Sequence, residues 1–259
     1  MITSASNQQI KNLIQLQNKS KARQEQGAFV IEGIKMFEEA KVIGHLLKAY
    51  VSESFYKEKE QEPEFFDFPY EIVSDVVFKE ASETMTPQGI MAVVKKPDYQ
   101  ITDLISKNKV NLMLLEDLRD PGNLGTIIRT SEGAGFHGII LSKTSVDVFN
   151  PKVIRSTMGA IYRMPIVYVE DFYATLEELK SLGIHIYAAH LQGATDYDRI
   201  KYNEKMAILI GNEAKGLSDW AAEIANYRVK IPMEGEVESL NAAIAGGILM
   251  YEVYRQGRL

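Results

Sequence analysis

Cysteine is absent from the whole chain, which excludes disulfides and thiolate chemistry. The four histidines, His45, His137, His185 and His190, show no zinc-ligand spacing, so no metal is expected. No apolar run approaches the roughly 20 residues that span a bilayer, the longest being AAIAGGILMY. The first residues, MITSASNQQIKNLIQLQNKSKAR, lack the apolar centre of a signal peptide. These absences predict a soluble, cytoplasmic protein with no membrane partner. Internal repeats and low-complexity segments are missing too. The glycine turn PGNLG makes no GxGxxG, and no GKS or GKT follows it at P-loop spacing, so the familiar nucleotide-binding fingerprints are excluded.

What is there is a chain of 259 residues, 46% hydrophobic, able to bury a sizeable core in one large domain or, as expected here, two ordinary ones. A net charge of −6 argues against a uniformly basic nucleic-acid binder. The charge is uneven, however. Lys11, Lys19, Lys21 and Arg23 all precede the first acid, Glu25, whereas the stretch from Glu53 to Glu83 is dominated by carboxylates. A local basic strip can bind phosphates on an acidic protein, and a solvated amphipathic helix accounts for the same lysines.

From about Lys109 onward, apolar runs bounded by turn residues alternate with helical ones: VNLMLLED, GIILSK, RMPIVYV, IHIYAAH, MAILIGN and YRVKIP read as buried strands, and TLEELKSLG as a helix with a glycine stop. Such alternation predicts an α/β fold with a mostly parallel sheet covered by helices on both faces. Ligands then bind beyond the carboxyl ends of the strands. Before that, FVIEG, LKAYVS, YEIVS and GIMAVVKK read as strands of a smaller α/β unit, with helices near Gly33–Ile43 and Asp75–Ser82. The expected domains are 1–97 and 108–259, joined by a linker at 98–107.

Three stretches carry polar residues where chemistry could occur. PGNLGTIIRTSEGAG follows a strand and opens a helix, a context in which main-chain N–H groups receive anions; a structural reading instead gives the glycines unusual backbone angles, Asn123 a left-handed position and Arg129 to solvent. ILIGNEAKGLS delivers Gly211, Asn212 and Glu213 at a strand end, where glycine would admit a flat ligand to the main chain and Glu213 would equally suit the first turn of a helix. VKIPMEGEVESLNAAIAGGILMYEVYR ends a strand at Ile231–Pro232, places Ser239 as an N-cap, and starts a helix with Leu240 and Asn241. Ala242, Ala243, Ala245, Gly246 and Gly247 then invite close approach of another backbone, although a buried core helix explains the same apolarity.

Taken together, the three resemble the motifs of the SpoU (TrmH-type) RNA 2′-O-methyltransferases of the SPOUT, or α/β-knot, superfamily. Asn123, Gly125, Ile127 and Arg129 carry the first; Gly211, Glu213 and Gly216 the second; Ile231-Pro232-Met233, Gly235 and Ser239-Leu240-Asn241 the third. FVIEG and TPQGIMAVV are similar to the ribosomal-protein-like substrate-binding domain often attached to these enzymes. The resemblance implies a C-terminal trefoil knot, an exception to the rule that chains do not knot. It also implies a homodimer and S-adenosyl-L-methionine (AdoMet) held at Leu191, Gly211, Ile231 and Leu240.

The implied reaction methylates a ribose 2′-hydroxyl, with ribosomal RNA expected over tRNA. Arg129 would act at the reacting oxygen. Its pKa of about 12.5–13.8 makes a neutral guanidinium cost roughly 7–9 kcal/mol at neutral pH, so a charged Arg129 that steadies the developing alkoxide and grips an RNA phosphate is expected. The proton would leave through that phosphate, water or a transiently deprotonated guanidinium. Asn123 and Glu213 would hold Arg129 and the ribose, with Ser239 and Asn241 shaping the same pocket. Lys11, Lys19, Lys21, Arg23 and Arg155 would contact phosphates. The competing readings are a non-catalytic RNA-binding protein on the same fold, and a nucleotide or NAD enzyme whose fingerprint is missing.

Overall fold

The structure is a computed structural model that describes residues 1–258, without the side chains of Pro63 and Glu64. The chain divides into two compact units, Met1–Asp98 with Asp147–Tyr162, and Tyr99–Val146 with Arg163–Leu259.

The first unit opens with helices α1 (Gln8–Asn18) and α2 (Ser20–Gln26), continues through β1 (Ala28–Glu32), α3 (Ile34–Val42), β2 (Leu46–Ser52), α4 (Glu53–Lys59), β3 (Tyr70–Val73) and α5 (Asp75–Ala81), and ends on β4 (Ile90–Lys95). The sheet order is β1-β4-β2-β3, with β4 antiparallel to both neighbours and β2 parallel to β3. Helix α1 starts where the Asn7 side chain accepts from the Gln9 N–H, and its Ile10, Leu13 and Leu16 line one face and are buried. They pack with Val30, Val77, Phe78 and Met91. Lys11, Lys19 and Lys21 remain exposed on the polar side.

Arg23 does not belong with them, which corrects its expected role in RNA binding. It is 3% exposed. Its Nε and Nη2 donate to Asp147 at 2.9 and 2.7 Å, and Nη1 donates to the carbonyls of Leu16 and Gln17. Burial would raise the Asp147 pKa, but the Phe149 N–H, Ser20 and Arg23 together hold it below the usual carboxylate range. Arg155 likewise groups with the first unit, although its sequence position is in the C-terminal half. Helix α6 (Ile101–Ile105), β5 (Val110–Leu115), α7 (Pro121–Gly133) and β6 (Gly138–Ser142) precede α8 (Pro151–Thr157), which carries Arg155. The α8 segment packs with the first unit because Phe149 stacks at 4.8 Å on Phe29, the Tyr162 hydroxyl donates to the Met36 carbonyl, and Arg155 pairs with Glu83 at 3.4 Å.

The second unit continues with β7 (Ile166–Val169), α9 (Phe172–Ser181), β8 (His185–Ala189), β9 (Thr195–Asp196), β10 (Lys205–Ile210), α10 (Asp219–Ile224), β11 (Tyr227–Lys230) and α11 (Ala242–Gln256). Its seven strands run β7-β6-β5-β10-β8-β11-β9, and every pairing is parallel. Strands β5 and β6 are buried along their whole length, which is why they read as unbroken apolar runs. Alternate β5 residues serve opposite faces. Leu112 and Leu114 join Leu104, Leu176 and Leu179, whereas Met113 meets Gly246 of α11.

Leu104, buried in this unit's core with Tyr99, Ile101 and Ile105 packed against it, ties the expected 98–107 linker to the second unit. On the other face, α11 packs along α7: a methyl on Gly246 would contact Met113 and Ile127, and Ser131 lies 3.2 Å from the Met250 sulfur. Ala243 and Gly246 are therefore spent on packing inside this unit, where the buried-core-helix reading holds for them.

Candidate functional site

The site grows from the carboxyl ends of β5 and β10. Beyond β10 the chain reverses through a turn whose ends bond to each other, Asn212 N–H to the Gly216 carbonyl at 3.0 Å and Gly216 N–H to that of Asn212 at 2.8 Å. Asn212 Oδ1 accepts from Ala214 and Lys215, and its Nδ2 donates to the Asp117 carbonyl. Gly216 takes φ +71°, and a Cβ on Gly211 would run into the Gly216 and Leu217 main chain. Gly211 is thus demanded by closure of this turn, not only by a ligand.

The β5–α7 turn is held more tightly. Four successive main-chain N–H groups each find a side-chain oxygen: Asp117 donates to Ser142 at 2.8 Å, Leu118 to Ser145 at 3.2 Å, and Arg119 and Asp120 to the two Glu213 oxygens at 3.1 and 2.9 Å. Asp117 is one of two non-glycine residues with positive φ among the described residues, at 52°, a region that aspartate tolerates better than most side chains. Asn123 is not left-handed; it lies inside α7, which Asp120 caps and Pro121 opens.

A chain of hydrogen bonds then ties the three motifs together. Asn123 Nδ2 donates to Glu213 at 3.1 Å, and Asn241 Nδ2 donates to Asn123 Oδ1 at 2.9 Å. Asn241, not Ser239, caps α11, its Oδ1 accepting from Ala243 and Ile244. Burial acts to raise the Glu213 pKa, but bonds from Asp120, Asn123 and Arg119 outweigh it and hold the carboxylate below its ordinary range.

Beside this network lies a cavity of about 510 Å³ over the ends of β10, β8 and β11. It gathers Leu191, Gly211, Glu213, Ile231, Met233, Ser239 and Leu240, all named from sequence, and adds His190, Glu238 and Leu249. Asn123 and Asn241 reach it through Glu213. Arg129 stands apart from that chain of bonds, six residues along α7 from Asn123, or about 9 Å along the helix axis. It is exposed and makes no hydrogen bond or ion pair among the described residues, so Asn123 and Glu213 do not hold it as expected. Asp117, Ser142 and Ser145 went unread in the sequence, because only folding brings the serines of the β6 end beneath the β5–α7 turn.

A doubly covered parallel sheet whose second and third motifs line one cavity at its carboxyl edge, with the first hydrogen-bonded to both, is the architecture of an α/β ligand-binding enzyme. The chain belongs to the SpoU rRNA Methylase family, whose model matches residues 111–251. Residues 7–92 match the MRM3-like substrate binding domain. It is 34% identical to the 23S rRNA (guanosine(2553)-2′-O)-methyltransferase RlmP of Bacillus subtilis (strain 168), over 97% of this chain and 98% of that protein. An AdoMet-bound rRNA methyltransferase from Sinorhizobium meliloti superposes with a TM-score of 0.85 at 31% identity, covering 98% of this chain and 97% of the other. The SpoU methyltransferase AviRb from Streptomyces viridochromogenes, in complex with AdoMet, gives 0.87 at 25% identity over 97% and 98%.

Proposed function

We propose that this chain methylates a ribose 2′-hydroxyl of ribosomal RNA with AdoMet as methyl donor. The observation that carries the reading is the Glu213–Asn123–Asn241 chain of hydrogen bonds, which joins all three motifs and meets the cavity wall at Glu213. The cavity fits the donor. Its volume is in the range of cofactor sites, about 300–1,000 Å³. Leu191, Ile231, Leu240 and Leu249 offer apolar surface for an adenine, and the Glu213 and Glu238 carboxylates suit a cationic ligand.

When bound, AdoMet supplies an electrophilic methyl group, whose transfer to the ribose oxygen releases one proton. Arg129, charged and free of internal partners, takes the RNA phosphate and the negative charge developing on that oxygen. Asn123, Glu213 and Asn241 are positioning residues that fix the start of α7 and hence the place of Arg129. Lys11 on α1, Lys19 between α1 and α2, and Lys21 on α2, all exposed, contact RNA phosphates from the first unit.

A cytoplasmic homodimer belongs to the same proposal, supported by the exposed apolar stripe of α11. So does the trefoil knot, supported by the way residues 231–240 share a cavity lining with the 211–217 turn. Calorimetric titration with AdoMet, followed by mapping of ribose methylation in ribosomal RNA from cells with and without the gene, tests the proposal. A chain that binds no AdoMet and leaves every ribose methylation unchanged when deleted refutes it.

A further inference from the structure

The cofactor cavity occupies only one end of the sheet's carboxyl edge. A second cleft, of about 620 Å³, opens over the ends of β7, β6, β5 and β10. It contains the boundary between β5 and β10, where the chain switches from building outward through β6 and β7 to building the other way, and such switch points are where open parallel sheets take ligands. The 212–217 turn forms the wall between the two, so Asn212, Lys215, Gly216 and Leu217 line both.

The lining has a definite chemistry. The Tyr173 ring, 38% exposed, cannot swing freely, because its hydroxyl donates to the buried Glu116 at 2.9 Å while Ser218 fills both Glu116 oxygens from the other side. Three long cations, Arg119, Lys143 and Lys215, line the cleft together with that ring, alongside the acids Glu116, Asp117, Glu170 and Asp171. Arg119 and Lys143 hold exposed pairs with Asp117 and Glu170, of the kind worth little in water, and Lys215 has no acidic partner among the described residues. A fixed aromatic face within reach of cations that exchange their partners readily suits a base and its phosphate.

We infer that this cleft seats one unstacked nucleotide of the RNA substrate beside the nucleotide that is methylated, stacking its base on Tyr173 and taking its phosphate with Arg119, Lys143 and Lys215. The inference rests on the methyltransferase reading and adds the binding place of a second nucleotide.

Tyr173→Ala, Tyr173→Phe and Lys143→Glu test it, assayed for methyl transfer to ribosomal RNA extracted from cells lacking the gene. Tyr173→Ala and Lys143→Glu should each raise the KM for RNA about tenfold with little change in kcat, the scale of losing one stacked base or phosphate contact. Tyr173→Phe, which keeps the ring, should recover most of the loss. AdoMet affinity, measured by calorimetry, should stay at the wild-type value in all three and thereby report an intact fold. Lys143 is exposed, so its variant carries the test should Tyr173→Ala fail to fold. An active wild type whose Lys143→Glu and Tyr173→Ala variants match it in RNA KM overturns the subsite alone. A wild type that neither binds AdoMet nor methylates overturns the methyltransferase reading and the subsite with it.

Discussion

Arg129 and Glu213 are both charged members of sequence motifs, yet the structure gives them opposite circumstances. Glu213 is filled by N–H donors, whereas Arg129 has no hydrogen-bond or ion-pair partner among the described residues. If Arg129 serves the RNA and not the cofactor, Arg129→Ala should keep AdoMet affinity within about threefold while single-turnover methyl transfer falls at least about 100-fold, the scale of one lost transition-state stabiliser. Arg129→Lys separates charge from geometry. Measured with saturating RNA, it should be nearly as slow as alanine at about pH 7, and a gain toward the lysine pKa of about 10.4 would assign a base role to this position.

Glu213 makes a pH prediction of definite sign. Because its folded pKa is depressed, its hold on the β5–α7 turn is complete above the ordinary glutamate value of about 4.3 and is lost as pH falls through the lower folded value. AdoMet affinity should thus be level as pH falls from about 7 to the ordinary glutamate value of about 4.3, and drop only on further acidification. Glu213→Gln, which brings an amide donor to two N–H groups that need acceptors, should be weak already at neutral pH and show no such acid step. Calorimetry across that range decides, and a wild type that keeps full affinity at the acid end removes this role from Glu213.

At the scale of elements, the strands were legible because each is a short Ile/Val/Leu/Met run bounded by turn residues, from VNLMLLED as β5 to YRVKIP as β11. Strand β9 was not, since two residues carry no periodicity. The docking of α8 on the first unit was equally hidden: burial of Val153 and Ile154 says that the helix has an apolar face, not which core receives it. Arg23 illustrates the same limit, its partner Asp147 lying far along the chain. The start of α11 was ambiguous for a different reason, because Ser239 and Asn241 are both good caps and only their partners distinguish them.

That ambiguity permits a test of how the element serves the site. Asn241→Asp keeps an acceptor for the α11 N–H groups but replaces the donor to Asn123 with a second carboxylate near Glu213. It should unfold in denaturant within about 0.5 kcal/mol of wild type, whereas Asn241→Ala loses about 1 kcal/mol with the cap. Both should lose methyl transfer about tenfold or more, as expected when one positioning hydrogen bond to a buried amide is broken. Full activity in Asn241→Asp would show that the link between the first and third motifs is incidental.

For the whole molecule, the open question is what covers α11. Ile244, Tyr251 and Tyr254 are 54%, 50% and 41% exposed, and their spacing of seven and three residues sets them along one side of the helix. Ala243 and Gly246 face inward, so the large exposed side chains are what a second copy would meet. Two such helices related by a two-fold axis would bury matching surfaces, the ordinary way for a protein to form a closed dimer. A stable dimer needs about 1,200 Å² or more in total, beyond what three side chains supply. The exposed side of α7, with Arg129, Thr126 and Thr130 along it, would therefore have to join the contact. That shared involvement makes a specific expectation. Sedimentation equilibrium at about micromolar concentration should give the mass of two chains for wild type. Ile244→Glu with Tyr251→Glu should give one chain, since unpaired carboxylates in an apolar contact cost several kcal/mol. Wild type at the mass of one chain, methylating RNA normally, would mean that this stripe serves something other than self-association.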